Sequence, residues 1–119
     1  MRDFRKLHVW QQAHTLVLNI YEHTKSMPKY ELYGLTNQLR RASASISTNI
    51  AEGCGKDSES DFARFLQISF ASACETEYLL ILCQDLNYFD KPTITLIQKE
   101  VELTKKMLAT FIRRIRPNK

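Results

Sequence analysis

The chain has 119 residues, 44% hydrophobic and 25% charged, which is the composition of one soluble globular domain rather than a disordered or fibrous chain. Three glycines and three prolines leave few turns, so long helices are expected and a many-stranded β fold is disfavoured. The net charge of +4 is segregated: residues 1–56 carry +4, residues 57–90 carry −6, and residues 91–119 carry +6, a pattern suited to attracting antiparallel neighbours.

The first segment, residues 8–26, repeats Leu7, Trp10, Ala13, Leu16, Val17, Ile20 and Tyr21 at helical spacing. Met27-Pro28-Lys29 breaks it. The second, residues 31–53, carries a core stripe of Leu32, Leu35, Leu39, Ala42, Ile46 and Ile50, and Gly53 is expected to end it as a C′ glycine. A polar stripe of Arg41, Ser45, Asn49 and Glu52 runs beside that core. Small residues (Thr36, Ser43, Ala44, Ser47, Ala51) fill most of the remaining surface, interrupted by the outward-looking Arg40, where a water-facing helix would carry Lys, Glu or Gln.

The third segment, residues 59–87, opens at Ser58-Glu59-Ser60-Asp61, an N-cap followed by acids that suit a helix N-terminus. Its apolar residues, among them Phe62, Leu66, Ile68, Phe70, Leu80, Ile81 and Leu86, point in nearly every direction around the axis. A helix that is hydrophobic all round must be covered all round, so a homo-oligomer is expected. The fourth segment, residues 91–116, follows Asp90-Lys91-Pro92 and repeats Ile94, Ile97, Val101, Leu108, Phe111, Ile112 and Ile115. The expected fold is all-α: one domain over 1–119, an antiparallel up-down four-helix bundle.

Folding the second and third segments into a hairpin about residues 54–58 places Arg41 against Glu75 and Glu52 against Arg64, with Ser45 meeting Ala71 between them. A ladder of charge-assisted hydrogen bonds fixing this register is expected. It would be built from Arg41, Ser45, Asn49, Glu52, Arg64, Ser72 and Glu75.

Enzymatic and metal chemistries find little support. His8, His14 and His23 lack ligand spacing and share no helical face. GCGKDS departs from a phosphate loop, with Ile50 where a glycine is required and Asp57 after Lys56. Cys54 has no neighbouring His to activate it, and three cysteines without a CxxC read as free thiols of a reducing cytoplasm. No signal-peptide pattern appears, and the longest apolar run, Tyr78–Cys83, is too short to span a bilayer. Catalytic residues, metal ligands, cofactors, a membrane and a small-molecule substrate are therefore not expected.

KLHVWQQAHTL, PKYELYGLTNQLRRASASISTNIAEGCGK and DFARFLQISFASACETEYLL resemble the small four-helix-bundle proteins encoded in bacterial 23S rRNA intervening sequences. Related bundles include the accessory protein of diversity-generating retroelements. The motif falls on Arg41, Ser45, Asn49, Glu52, Gly53, Arg64, Phe65, Leu66, Ser72 and Glu75, with Ala71 where the family usually has glycine. The resemblance implies a homopentamer with an RNA-related role. The expectation is thus a non-enzymatic cytoplasmic accessory protein that contacts RNA or a nucleoprotein through Arg40, Arg113, Arg114 and Arg116, with Lys56 and Lys119 as lesser contacts. No sequence-reading RNA motif is present, so contacts would be to the phosphate backbone. A purely protein-binding scaffold is the alternative.

Overall fold

A computed structural model describes residues 2–116. Those residues form four α-helices and no strand: α1 His8–Thr24, α2 Leu35–Cys54, α3 Glu59–Asp85 and α4 Lys91–Ile115. Short 3₁₀ turns at Phe4–Lys6 and Lys29–Glu31 precede α1 and α2. The helices pack as a bundle 44 Å long and 22 Å across, with seams α1–α2, α2–α3, α3–α4 and α1–α4.

The boundaries follow local chemistry. Ser58 Oγ accepts from Asp61 N at 3.0 Å and Asp90 Oδ1 from Thr93 N at 2.8 Å, each satisfying a donor that the helix itself leaves free. At the end of α3, Tyr88 N donates to Cys83 O at 2.9 Å and Asn87 N to Gln84 O at 3.0 Å, a Schellman motif. Asn87 occupies its left-handed position, at φ 61°, which an asparagine tolerates better than most residues.

Two expectations about α2 are corrected. The helix begins at Leu35 rather than 31, and Leu32 is 47% exposed instead of belonging to the core. Gly34 offers no capping side chain, so the Glu31 carboxylate reaches forward and accepts from Leu35 N at 3.0 Å; it also accepts from Tyr88 Oη at 2.8 Å. The hydrogen bond from Leu35, then that from Tyr88, holds the Glu31 carboxyl below the usual glutamate range. Its contribution to stability is present above the unfolded-state pKa and is lost as pH falls through the folded one.

Gly53 is the second correction. It lies inside α2, which runs one residue further and is capped at Gly55. A Cβ on Gly53 would stand 2.9 Å from Phe65 Cβ and 3.1 Å from Phe62 Cδ1, so this glycine lets α3 approach rather than letting the chain turn. Farther along the same seam, Ser69 Oγ donates to Ile46 O at 2.7 Å and Ser72 Oγ to Ser45 Oγ at 2.9 Å. Positions falling along α2 meet positions rising along α3, so these two helices run in opposite directions.

The core is made by Leu16 and Ile20 of α1, Leu39, Ile46 and Ile50 of α2, Phe62, Leu66 and Leu80 of α3, and Ile97, Val101 and Leu108 of α4, all fully buried. Each contributes about 1.5–3 kcal/mol by leaving water. Lys105 Nζ meets Glu77 Oε1 at 2.8 Å, joining the acidic third segment to the basic fourth.

Cys54 and Cys83 are buried, whereas Cys74 is exposed on α3. Burial, and then the Glu31 charge, pushes the Cys83 thiol up to about 11; burial also raises Cys54. With an aromatic disulfide reagent near pH 8, one thiol per dissociated chain should react at once and two only on unfolding, because the thiolate is the reacting form. Three equally fast thiols would contradict this packing.

Candidate nucleic-acid interface

The basic residues gather at one end of the bundle because four chain segments meet there. Arg113 and Arg114 occupy the last turn of α4, and Arg116 caps it. The N-terminal segment arrives beside them: Arg2 N donates to Cys54 O at 3.2 Å, and Arg114 lines a common groove with Leu7, His8 and Val9. Lys56 stands at the start of the α2–α3 connection, its Nζ 4.9 Å from the Phe65 ring centre.

Several of these cations are already partnered. Arg2 forms a forked pair with Glu59, at 2.8 and 2.9 Å, while its guanidinium lies 4.2 Å over the Phe62 ring. The arginine hydrogen bond holds the Glu59 carboxyl below its usual range. Arg5 Nε pairs with Asp3 at 3.2 Å, and Arg64 with Asp61 at 3.6 Å. Among the described residues, Lys6, Lys56, Lys106, Arg113, Arg114 and Arg116 have no carboxylate partner. Arg113 Nη2 donates to Thr110 Oγ1 at 3.4 Å; with the Gln67 amide oxygen turned toward it, Arg116 donates there at 3.2 Å. Cations at the C-terminus of α4 complement its dipole, which accounts for their presence locally but leaves their guanidinium faces available for phosphate.

Arg40 does not join this group. It is half-buried: its Nε donates to Thr24 Oγ1 at 2.8 Å and its guanidinium covers the Tyr21 ring at 4.9 Å. The expectation that it faces outward is corrected, because the small Thr24 at the end of α1 opens a slot that the long side chain fills. Fourteen residues of α2 separate Arg40 from Cys54, about 21 Å along the helix axis. Lys119 lies outside the described residues.

The polar stripe is only partly formed as expected. Ser45, Asn49 and Ser72 are joined: Ser72 Oγ reaches Ser45 Oγ, and Asn49 Nδ2 donates to Ser45 O at 2.8 Å and to Ser45 Oγ at 3.0 Å. The register differs by one from the expected Ser45–Ala71 crossing. The two ion pairs are corrected: among the described residues neither Arg41–Glu75 nor Glu52–Arg64 is formed. All four side chains are exposed, and Arg64 turns instead to Asp61 on its own helix and to the Phe65 ring at 4.9 Å. Exposed pairs gain little over solvation, so the short hydroxyls define the crossing while Arg41 and Glu75 line a shallow depression around Ser45.

The outer face of α3 is uncovered in the single chain. Ile68 is 41% exposed, Tyr78 59%, Ile81 45% and Leu86 45%, and Ala71 and Cys74 lie exposed between them. The most apolar 18-residue window of α3 reaches a mean hydropathy of 1.2, enough by length and composition for a membrane span, yet only 33% of it is buried. Glu75 and Glu77 lie in the middle of this helix, and Ser69 ties it to α2.

The Arg2–Glu59 clasp was not expected from the sequence, and neither was the groove that Leu7 and His8 share with Arg114. The residues of that groove were visible, but only the meeting of the α1 start with the α4 end brings them together.

The family description "23S rRNA-intervening sequence protein" matches residues 5–110, nearly the whole chain. The chain belongs to this family. No curated protein matches it. A crystal structure of a protein of unknown function from the S23 ribosomal protein family of Bacteroides thetaiotaomicron superimposes with a TM-score of 0.81 at 24% identity, covering 88% of this chain and 95% of that one. At that identity the likeness shows the intervening-sequence protein's fold, an all-helical bundle.

Proposed function

We propose that this intervening-sequence protein is a non-enzymatic, cytoplasmic homo-oligomer, a pentamer as the family resemblance implies. It acts as an accessory scaffold that holds RNA or a nucleoprotein on its basic end. The observation that carries this reading is that Arg113, Arg114 and Arg116 at the end of α4, and Lys6 and Lys56 at the same end of the bundle, have no carboxylate partners among the described residues. In a ring these charges repeat, and several weak phosphate contacts combine into one firm attachment. The uncovered outer face of α3 provides the surface on which copies would meet.

Titrating labelled single-stranded RNA at two salt concentrations tests the reading. Affinity should fall steeply with salt, and Arg113→Glu with Arg114→Glu should flatten the log–log slope by about 1.4 for each protomer that touches the RNA, at about 0.7 per lost phosphate contact. An unchanged affinity and slope in that variant, with helicity intact, would remove RNA from the account and favour a scaffold for proteins alone.

A further inference from the structure

A hollow lies in the furrow between the first turn of α1 and the last third of α4. It has a volume of about 490 Å³. Leu7, Met107 and Phe111 make an apolar floor, all half-buried, and His8, Lys106 and Arg114 stand among its walls. No acidic residue lines it, and Lys106 and Arg114 have no carboxylate partner among the described residues. An apolar floor with only positive charge around it selects an occupant that is apolar on one side and negative beside it.

We infer that this furrow is a docking site for an acidic amphipathic helix of a partner protein. A helix laid between two others presents a stripe of apolar side chains to the floor, the usual geometry of helix-in-groove recognition. Lys106 and Arg114 are eight residues apart on α4, about 12 Å along its axis. Glutamates seven or eight residues apart on the docked helix span about 11–12 Å and so reach both cations at once. Met107 in the floor has an unbranched, polarizable side chain that adapts to different apolar partners. The site is independent of RNA attachment except that Arg114 borders both surfaces.

The test uses the full chain and a fluorescent helical peptide with a leucine stripe and two glutamates seven residues apart. A scrambled peptide of identical composition is the control. Anisotropy should show the designed peptide binding at least about tenfold tighter than the scramble. Met107→Gln, which makes the floor polar at similar size without changing charge, should weaken peptide binding about tenfold while RNA affinity stays within about twofold. Should Met107→Gln fail to fold by circular dichroism, Leu7→Gln, which makes the opposite side of the floor polar, is expected to weaken the peptide similarly. Equal binding of the scramble, or indifference of the designed peptide to the furrow variant, would overturn the inference. So would a furrow variant that dissociates the assembly, since another copy of the chain would then be the occupant.

Discussion

Replacing Gly53 with alanine is expected to destabilise the fold by about 1–3 kcal/mol, the usual cost of forcing extra volume into a packed site. Helix propensity alone gives the opposite sign, since alanine in a helix interior is favoured over glycine by about 1 kcal/mol. Packing wins because the new methyl would stand 2.9 Å from the Cβ of Phe65, an atom fixed to the α3 backbone, and 3.1 Å from the Phe62 ring. Phe62 cannot retreat freely, because Arg2 covers one part of it and Phe111 meets its ring at 5.5 Å, edge to face. The two helices must separate where Gly53 faces Phe62 and Phe65. Gly55 provides the control: its added Cβ meets only Glu52 O, at 3.4 Å. Urea unfolding should therefore show a lower midpoint for Gly53→Ala and little change for Gly55→Ala. A stabilised Gly53→Ala would mean that α2 and α3 are less intimate than described.

The second large effect is on assembly. A Tyr78→Asp, Ile81→Asp chain should remain helical and run as a monomer. Both side chains are exposed in the single chain, so charge there costs the isolated protomer little. Between copies, each lost apolar contact forfeits about 1.5–3 kcal/mol, and each buried aspartate adds a desolvation penalty. Two such losses per interface raise the dissociation constant by about a hundredfold or more. Leu18→Asp, at an exposed leucine of α1, should leave the mass unchanged. Cys74 gives an independent readout because it lies on the same α3 face: its reaction with a thiol reagent should slow as concentration rises in the native chain, and not in the variant. A variant that keeps its full mass would place the copies on some other surface.

The parts of this fold that were readable from sequence are those set by local chemistry. Ser58 caps α3 as its position suggests, and Asp90-Lys91-Pro92 marks where α4 begins. The α3 residues that cannot all face one protomer's core were also visible, because a run such as Leu79 to Leu82 spreads around the axis whatever packs against it. What the sequence concealed depends on distances between helices. Gly53 and Gly55 are equally plausible terminators until Phe62 and Phe65 are known to lie against one of them. The arginine–carboxylate ladder had nearly the right register, yet Arg64 found Asp61 on its own helix, and exposed long side chains choose partners by small differences. Ser45 and Ser72, too short to wander, marked the crossing more faithfully. Arg40 illustrates the same limit in reverse: its charge indicated the surface, but Thr24 and Tyr21 of α1 supplied a hydroxyl and a ring that hold it.

Whether one chain is enough to shelter α3 decides whether the protein assembles. The molar mass of the native protein in solution, by light scattering or sedimentation equilibrium at micromolar concentration, answers this directly. The expected result is a whole-number multiple of the 13.9 kDa chain, fivefold if the family resemblance extends to assembly. A steady 13.9 kDa across that range, with Tyr78 and Ile81 left to water, would contradict it.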